Sequence, residues 1–225
     1  MTAPPVEPVQ AELSLVTSYA VSELLSSWPS APTAEGVREA LRALLPRLVD
    51  FFGPAAATLG ADWYDDYRAS KGVPGRFRAI PATLPDEGRT DTLARWGVGP
   101  LFQAEPSVED AQAKVAGGLQ RIVADAHRDT VVGSLAQDPQ GKGWRRQTVD
   151  DTCDFCTMIA GRGAVYSART ANFSSHDDCD CIAVPVFGEA VKVLPYVPST
   201  RFRSDAARKA NNRRVREHLA RTRAT

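Results

Sequence analysis

The residues with the clearest chemical potential are four cysteines and one histidine that lie close together in the second half of the chain. Cys153 and Cys156 form a C-x2-C pair, and His176, Cys179 and Cys181 follow as H-x2-C-x-C. A two-residue gap lets a tight turn direct both sulfurs to one point, as it does in zinc knuckles. We therefore predict a structural zinc site formed by Cys153, Cys156, His176 and one or both of Cys179 and Cys181.

The last two cysteines pose a choice, because five candidate ligands compete for the four positions of a tetrahedral metal ion. If the segment is an extended strand, Cys179 and Cys181 point to opposite sides. We then expect one of them to bind the metal and the other to pack beside the site. The spacing leaves open which one binds.

Other chemistry remains possible for the same residues. Two disulfides or four free thiols are the main alternative, but clustered cysteines with a histidine in a chain expected in the cytosol favour metal. A thioredoxin-like redox role for Cys153 and Cys156 needs a βαβ context that the sequence lacks. Asp177, Asp178 and Asp180 lie nearby and would suit a hydrolytic metal site, although thiolate-rich sites are normally structural.

Catalysis without a metal has few candidate residues here. The chain has three histidines, and one of them, His218, lies in the basic tail. A serine or cysteine nucleophile would therefore have to rely on His127 or His176. There is no phosphate-binding loop of the P-loop type. The segment 161–163, Gly-Arg-Gly, predicts a turn after the end of a helix.

The first half of the chain must supply the elements that position this cluster, and its apolar residues recur at helical spacing. We predict one helix from Val9 to about Ser27 and a second that follows an N-cap at Thr33. Pro46 should bend or break the second helix, and Gly53-Pro54 should end it. A third helix is predicted over 55–70.

Residues 71–89 are rich in proline and glycine and predict an extended arm or a surface loop, with a short helix around 92–96. A long helix should start after Ser107 and run to about Leu135. The glycine pair Gly117-Gly118 inside it suggests close backbone approach by a neighbour. A turn at 138–141 and a small sheet that includes 164–166 and 182–187 complete the prediction.

Charge is distributed unevenly along a chain of 225 residues whose formal net charge is zero. Residues 201–225 contain nine Arg or Lys against two acids, a net +7, which leaves −7 on residues 1–200. The tail suggests contact with an acidic partner such as DNA, or simply a solvated helix. No apolar run is long enough to span a membrane and the N-terminus lacks a secretory pattern, so we expect the protein to stay in the cytosol where it is made.

Together these patterns predict an α+β fold with a mainly helical N-terminal body and a small zinc-knuckle-like α/β module on the C-terminal side. The predicted units are a helical body at 1–140 with a Pro/Gly-rich arm at 71–91, a Cys/His module at 141–200 and a basic tail at 201–225.

The cysteine module also resembles a known family, the MuF-like minor head proteins of tailed phages. The similar features are the C-x2-C pair, the segment 161–166, and H-x2-C-x-C followed by the apolar segment 184–187. Upstream segments resemble members from phages of actinobacteria, namely 61–65, 75–79 and 94–102. The resemblance covers residues 55–187.

The resemblance implies a minor capsid protein for head morphogenesis. Such a protein acts inside the virion near the portal and meets the portal protein and the major capsid or scaffold protein during assembly in the host cytoplasm. Related proteins are often described as capsid maturation proteases, which is the alternative function. A serine–histidine protease core does not fit a chain whose first 135 residues read as helical, so a non-enzymatic role is favoured.

Overall fold

A computed structural model describes residues 6–84, 87–148, 154–167, 173–188 and 191. These ranges form an α+β structure that is mainly helical, with a small antiparallel sheet on the C-terminal side, as predicted. Its elements are α1 (Val6–Ser26), α2 (Ala34–Ser70), α3 (Glu87–Gly97), a 3-10 helix (Gly99–Phe102), α4 (Val108–Gln137), β1 (Gly141–Gln147), α5 (Asp154–Ala160), β2 (Tyr166–Ser167) and β3 (Ile182–Phe187). None of the described helices combines the length and apolar character needed to cross a bilayer.

Helix α2 is one continuous helix of 37 residues, so it does not end at Gly53-Pro54 as predicted and does not break at Pro46. The alternative prediction, a bend at Pro46, stays a prediction. The helix begins as predicted, with the Thr33 side chain accepting a hydrogen bond from the backbone of Gly36 at 3.1 Å. An interior proline costs about 3 kcal/mol. Buried residues continue on both sides of each proline, and this packed face outweighs the local cost.

Glycines bring α4 close to its neighbours. A Cβ on Gly60 of α2 would lie 2.9 Å from the backbone oxygen of His127, which shows how closely α2 approaches α4. A Cβ on Gly118 would collide with Leu93 of α3, and one on Gly117 would meet the carboxylate of Asp178. The prediction that Gly117-Gly118 permits close approach is therefore confirmed, and part of the approaching chain belongs to the cysteine region.

Residues 71–84, which follow α2, run along the helices without forming a helix or strand. The backbone N–H of Ala79 donates to Asp65 at 2.9 Å, and that of Ala82 donates to Thr130 at 2.8 Å. Leu84 then covers Gly53 in the middle of α2. Helix α3 begins at Glu87, so the last residues of the predicted arm are helical and the helix expected around 92–96 is longer.

Asp138, which is buried, fixes the connection between α4 and β1. Its carboxylate accepts hydrogen bonds from Tyr64 at 3.1 Å, Arg68 at 2.7 Å and the backbone of Gln140 at 2.9 Å. The predicted turn lies here, because the N–H of Gly141 donates to the carbonyl of Asp138 at 2.9 Å. Strand β1 therefore starts at a position set by α2.

The sheet has the order β2-β1-β3 and both pairings are antiparallel. Strand β1 is the central strand and was not part of the sequence prediction. Pro185 pairs with Trp144 on the edge strand β3, where a missing N–H is tolerated. Trp144 is buried and stacks on Tyr166 at a centroid distance of 4.2 Å.

One apolar core connects the helices to the sheet, running from Val9 in α1 to Val184 in β3 and including the three described cysteines. The division at residues 140 and 200 stays a prediction. Residues 192–225, which contain the predicted basic tail, lie outside the described residues.

The contact between α2 and α4 can be tested with two glycine substitutions. Gly60→Ala should destabilise the protein by about 1–3 kcal/mol, because the new methyl group would press on the backbone of His127. Gly133→Ala is the matched control: no atom lies within 4 Å of its Cβ position, so it should stabilise α4 by about 0.5–1 kcal/mol. Chemical denaturation measures both, and a Gly60→Ala protein as stable as the unsubstituted chain would contradict the packing.

Candidate metal centre

Three cysteine side chains meet in the core of the structure. The sulfurs of Cys156, Cys179 and Cys181 all lie within 4.8 Å of one another, and all three residues are buried. The Sγ atoms of Cys156 and Cys179 are 3.8 Å apart, far longer than a disulfide bond of about 2.05 Å. His176 joins the cluster, with its Nε2 atom 3.1 Å from Cys156 Sγ.

Different elements bring these side chains together. Cys156 lies in α5, which ends in a turn at 161–162, as predicted from the Gly-Arg-Gly segment. His176 and Cys179 flank a tight turn in which Asp178 adopts a left-handed backbone, with φ 58°. Cys181 directly precedes β3.

The turn explains why both of the last two cysteines face the cluster. The expectation that one would turn away assumed a strand, but residues 179–181 precede β3 and are not extended in the sheet. The alternation of side chains in a strand therefore does not apply to Cys179 and Cys181. Both sulfurs reach Cys156.

The geometry fits a tetrahedral metal ion. With a metal–sulfur bond of about 2.3 Å, the edge between two sulfurs of a tetrahedron is about 3.8 Å. The distance between the sulfurs of Cys156 and Cys179 has this value. Buried thiols and an imidazole that converge in this way can hold a metal ion.

The fifth predicted ligand, Cys153, lies outside the described residues. Its role as a ligand stays a prediction. Among the described residues three sulfurs converge on one point, and His176, whose Nε2 contacts Cys156 Sγ, is a candidate for the fourth position of a tetrahedral ion.

The electrostatics of the cluster favour a thiolate. A hydrogen bond from Cys181 lowers the pKa of Cys179 to about 4, with further lowering by the positive charge of Arg128 and by His176. The same interaction with Cys179 raises the pKa of Cys181, and burial adds to this rise. Cys179 is therefore the thiol that ionises first.

Two buried arginines lie beside the cysteines, and neither belongs to a motif that the sequence analysis identified. Arg128 of α4 is fully buried and donates to the carbonyl oxygen of Cys181 at 2.8 Å and to that of Cys179. Arg146 of β1 is 4% exposed, donates to the carbonyl of Ser174 and lies 3.9 Å from Cys179 Sγ. For Arg128, the only signal in the sequence was that a basic residue lies within a helix that carries many apolar residues. Such a residue could equally have faced solvent.

The acidic residues that suggested hydrolysis are engaged elsewhere. Asp177 forms an ion pair with Arg121 at 3.2 Å, and Asp180 accepts a hydrogen bond from Gln120 at 3.0 Å. Asp178 packs against Gly117 of α4. These contacts attach the turn to α4 and give all three side chains a structural role.

The other described histidine is not placed for catalysis. His127 is fully buried beside Trp63, and neither ring nitrogen has a hydrogen-bond partner among the described residues. Burial, together with the charge of Arg128, lowers the pKa of His127 to about 3. This imidazole is neutral and belongs to the packing between α2 and α4.

Comparison with known proteins gives two matches. A family model described as VG15 protein matches residues 2–219. A protein of Mycobacterium phage L5, named Gene 15 protein, is 28% identical over 208 residues, which covers 71% of this chain and 68% of that protein. No solved structure matches.

Purified protein should contain about one equivalent of metal per chain, which we expect to be zinc. Cys156→Ser should lose the metal, because it removes a sulfur that contacts both His176 and Cys179. Met158→Ser is the matched control, since this side chain lies on the same helix but is 55% exposed. Elemental analysis after dialysis measures both variants, and metal-free protein from zinc-replete cells would contradict the prediction.

The same analysis distinguishes the fourth ligand. If His176 binds the metal, His176→Ala should weaken metal binding more than Cys153→Ser does. The reverse order would mean that Cys153, and not His176, is the fourth ligand.

Proposed function

This chain belongs to the VG15 protein family, and on that premise we propose that it is a phage protein with a role in building the virion head. The observation that carries the proposal is the family match, which extends over residues 2–219, supported by the similarity to a protein of Mycobacterium phage L5. Because the match includes both the helices and the cysteine cluster, the proposal concerns the chain as a whole.

More narrowly, we propose a MuF-like minor capsid protein that associates with the portal on the inner side of the head. Its partners would be the portal protein and the major capsid or scaffold protein. The support is the motif resemblance at 153–187, in which the H-x2-C-x-C segment leads directly into an apolar strand. In the structure that strand is β3, with residues 182–184 buried in the core.

The metal centre would serve this role as a structural zinc site. Cys156, Cys179 and Cys181 provide three converging sulfurs. With His176, which contacts Cys156, as the fourth ligand, a tetrahedral ion would have no open position for a substrate. The ion would join α5, the turn before β3 and, through Arg128, the helix α4. Metal binding would in this way supply folding free energy to a segment that consists of short elements and contains few apolar residues.

The alternative function is a capsid maturation protease, and the distance between Cys156 and His176 supports it. Cys156 Sγ and His176 Nε2 are 3.1 Å apart, which is a suitable distance for a cysteine nucleophile and its base. Cys156 is fully buried, however, so no peptide bond can reach its sulfur in this conformation. Ser175, next to the histidine, donates instead to Asp125 at 2.7 Å.

Coexpression separates the two functions. When this protein is produced with the portal protein and the major capsid protein of its phage, it should copurify with the portal, and the capsid protein should keep its full length by mass spectrometry. Cleavage of the capsid protein that disappears in a folded His176→Ala or His127→Ala variant would establish the protease instead.

The basic tail is a second proposed contact, with packaged DNA. Its net charge of +7 at 201–225 is the supporting observation, and no base-reading motif accompanies it. Binding should thus be weak and independent of sequence. If about four phosphates are neutralised, log K should fall with log salt with a slope of about −3.6 on duplex DNA.

Truncation after Thr200 tests the tail. The truncated chain should lose DNA binding at low salt, measured by fluorescence anisotropy, while its metal content stays unchanged. Equal DNA binding by the full and truncated chains would exclude the tail as a DNA contact. Loss of portal binding alone would make it a docking arm.

A further inference from the structure

Arg146 is an unusual residue to find inside a protein without an acidic partner. It is 4% exposed, and among the described residues no carboxylate lies within ion-pair distance of it. Its guanidinium lies 3.9 Å from the centre of the Phe173 ring, and one of its nitrogens, Nε, has no hydrogen-bond partner in the described part of the chain. A buried cation in this position requires a compensating negative charge.

The second buried arginine has its own counter-charge. Arg128 forms an ion pair with Asp125 at 2.9 Å. Asp125 also pairs at 2.6 Å with Arg89, whose side chain is 36% exposed and therefore reaches solvent. The charge of Arg128 is thus balanced within α4, whereas that of Arg146 is not.

The missing negative charge is available in the cysteine cluster. The nearest donor–acceptor contact of Arg146 on that side is to Cys179 Sγ, at 3.9 Å. A divalent ion bound by three thiolates and a neutral imidazole has one excess negative charge, since three negative charges exceed two positive ones. That single negative charge would balance the single positive charge of the buried Arg146 side chain.

We infer that Arg146 is the counter-charge of an anionic metal centre formed by Cys156, His176, Cys179 and Cys181, and that Arg128 positions two of its ligands. Arg128 does so by holding the carbonyl oxygens of Cys179 and Cys181 from α4. Three neutral thiols, or a disulfide, would leave the charge of Arg146 without compensation. The inference rests on the proposed metal centre and goes beyond it, because it assigns the charge of that centre and the residues that stabilise it.

The charge of Arg146 can be separated from its shape by substitution. Arg146→Met keeps most of the aliphatic stem but removes the charge, and Arg146→Lys keeps a charge. Arg145→Met is the matched control on the same strand, since the described contact of Arg145 is with Gln147 and not with the cluster. Competition with a chromophoric zinc chelator at constant pH then measures the zinc affinity of each full-length variant.

Arg146→Met should bind zinc about 10–100-fold more weakly than the unsubstituted chain, as found when groups that support metal ligands are removed. Arg146→Lys should recover most of the affinity, and Arg145→Met should retain all of it. If Arg146→Met does not fold, Arg146→Gln replaces it, because glutamine keeps a hydrogen-bond donor without the charge.

Two results would overturn the inference while leaving the metal centre intact. One is unchanged zinc affinity in the folded Arg146→Met or Arg146→Gln protein. The other is an Arg146→Lys protein that binds as weakly as Arg146→Met, which would mean that shape and not charge matters. An unsubstituted chain that binds no zinc would remove the metal centre itself, and a failure of the portal experiment would affect neither result.

Discussion

The charges of the cysteine and arginine side chains that are buried together must balance, and this requirement constrains the structure around them. Cys156, Cys179 and Cys181 share the interior with Arg128 and Arg146, and each of these residues is at most 4% exposed. Isolated charges in such a place are costly, and neutral thiols cannot compensate the guanidinium of Arg146, whereas Arg128 is paired with Asp125. A metal–thiolate centre with a net negative charge satisfies both requirements, because it neutralises the thiolates and provides a counter-charge.

The helices and the sheet hold these charged side chains in place beside the cysteines. Arg128 projects from the middle of α4, and Arg146 projects from β1, so the centre is attached to the helices and to the sheet. Helix α4 in turn packs closely on α2 at Gly60, and Asp138 at its end is bound by two side chains of α2. The cysteine region therefore shares one apolar core with the helices.

Much of this could be predicted from local patterns. Helix caps at Thr33 and Ser107 and the turn after Asp138 depend on short segments, and the structure confirms them. It also brings together three of the four predicted cysteines, while Cys153 lies outside the described residues. The predicted end of the helix at Gly53-Pro54 was wrong, and the helix does not break at Pro46, because the packing of α2 against its neighbours outweighs the local cost of a proline. Strand β1 escaped prediction since its residues, Gly-Lys-Gly-Trp-Arg-Arg-Gln, lack strand periodicity and are fixed by their pairing with β3.

The charged surroundings of the centre could not be predicted, because they depend on contacts between residues far apart in sequence. Arg128 is 51 residues from Cys179, and Arg146 is 33 residues from it. Neither arginine belongs to a motif, and only the folded arrangement shows that both are buried.

X-ray absorption at the zinc edge of the purified protein is the most direct measurement of the central claim. Our account predicts three sulfur ligands at about 2.3 Å and one nitrogen ligand at about 2.0–2.1 Å. A zinc ion bound only by nitrogen and oxygen, or a metal-free protein whose cysteines are oxidised, would contradict it.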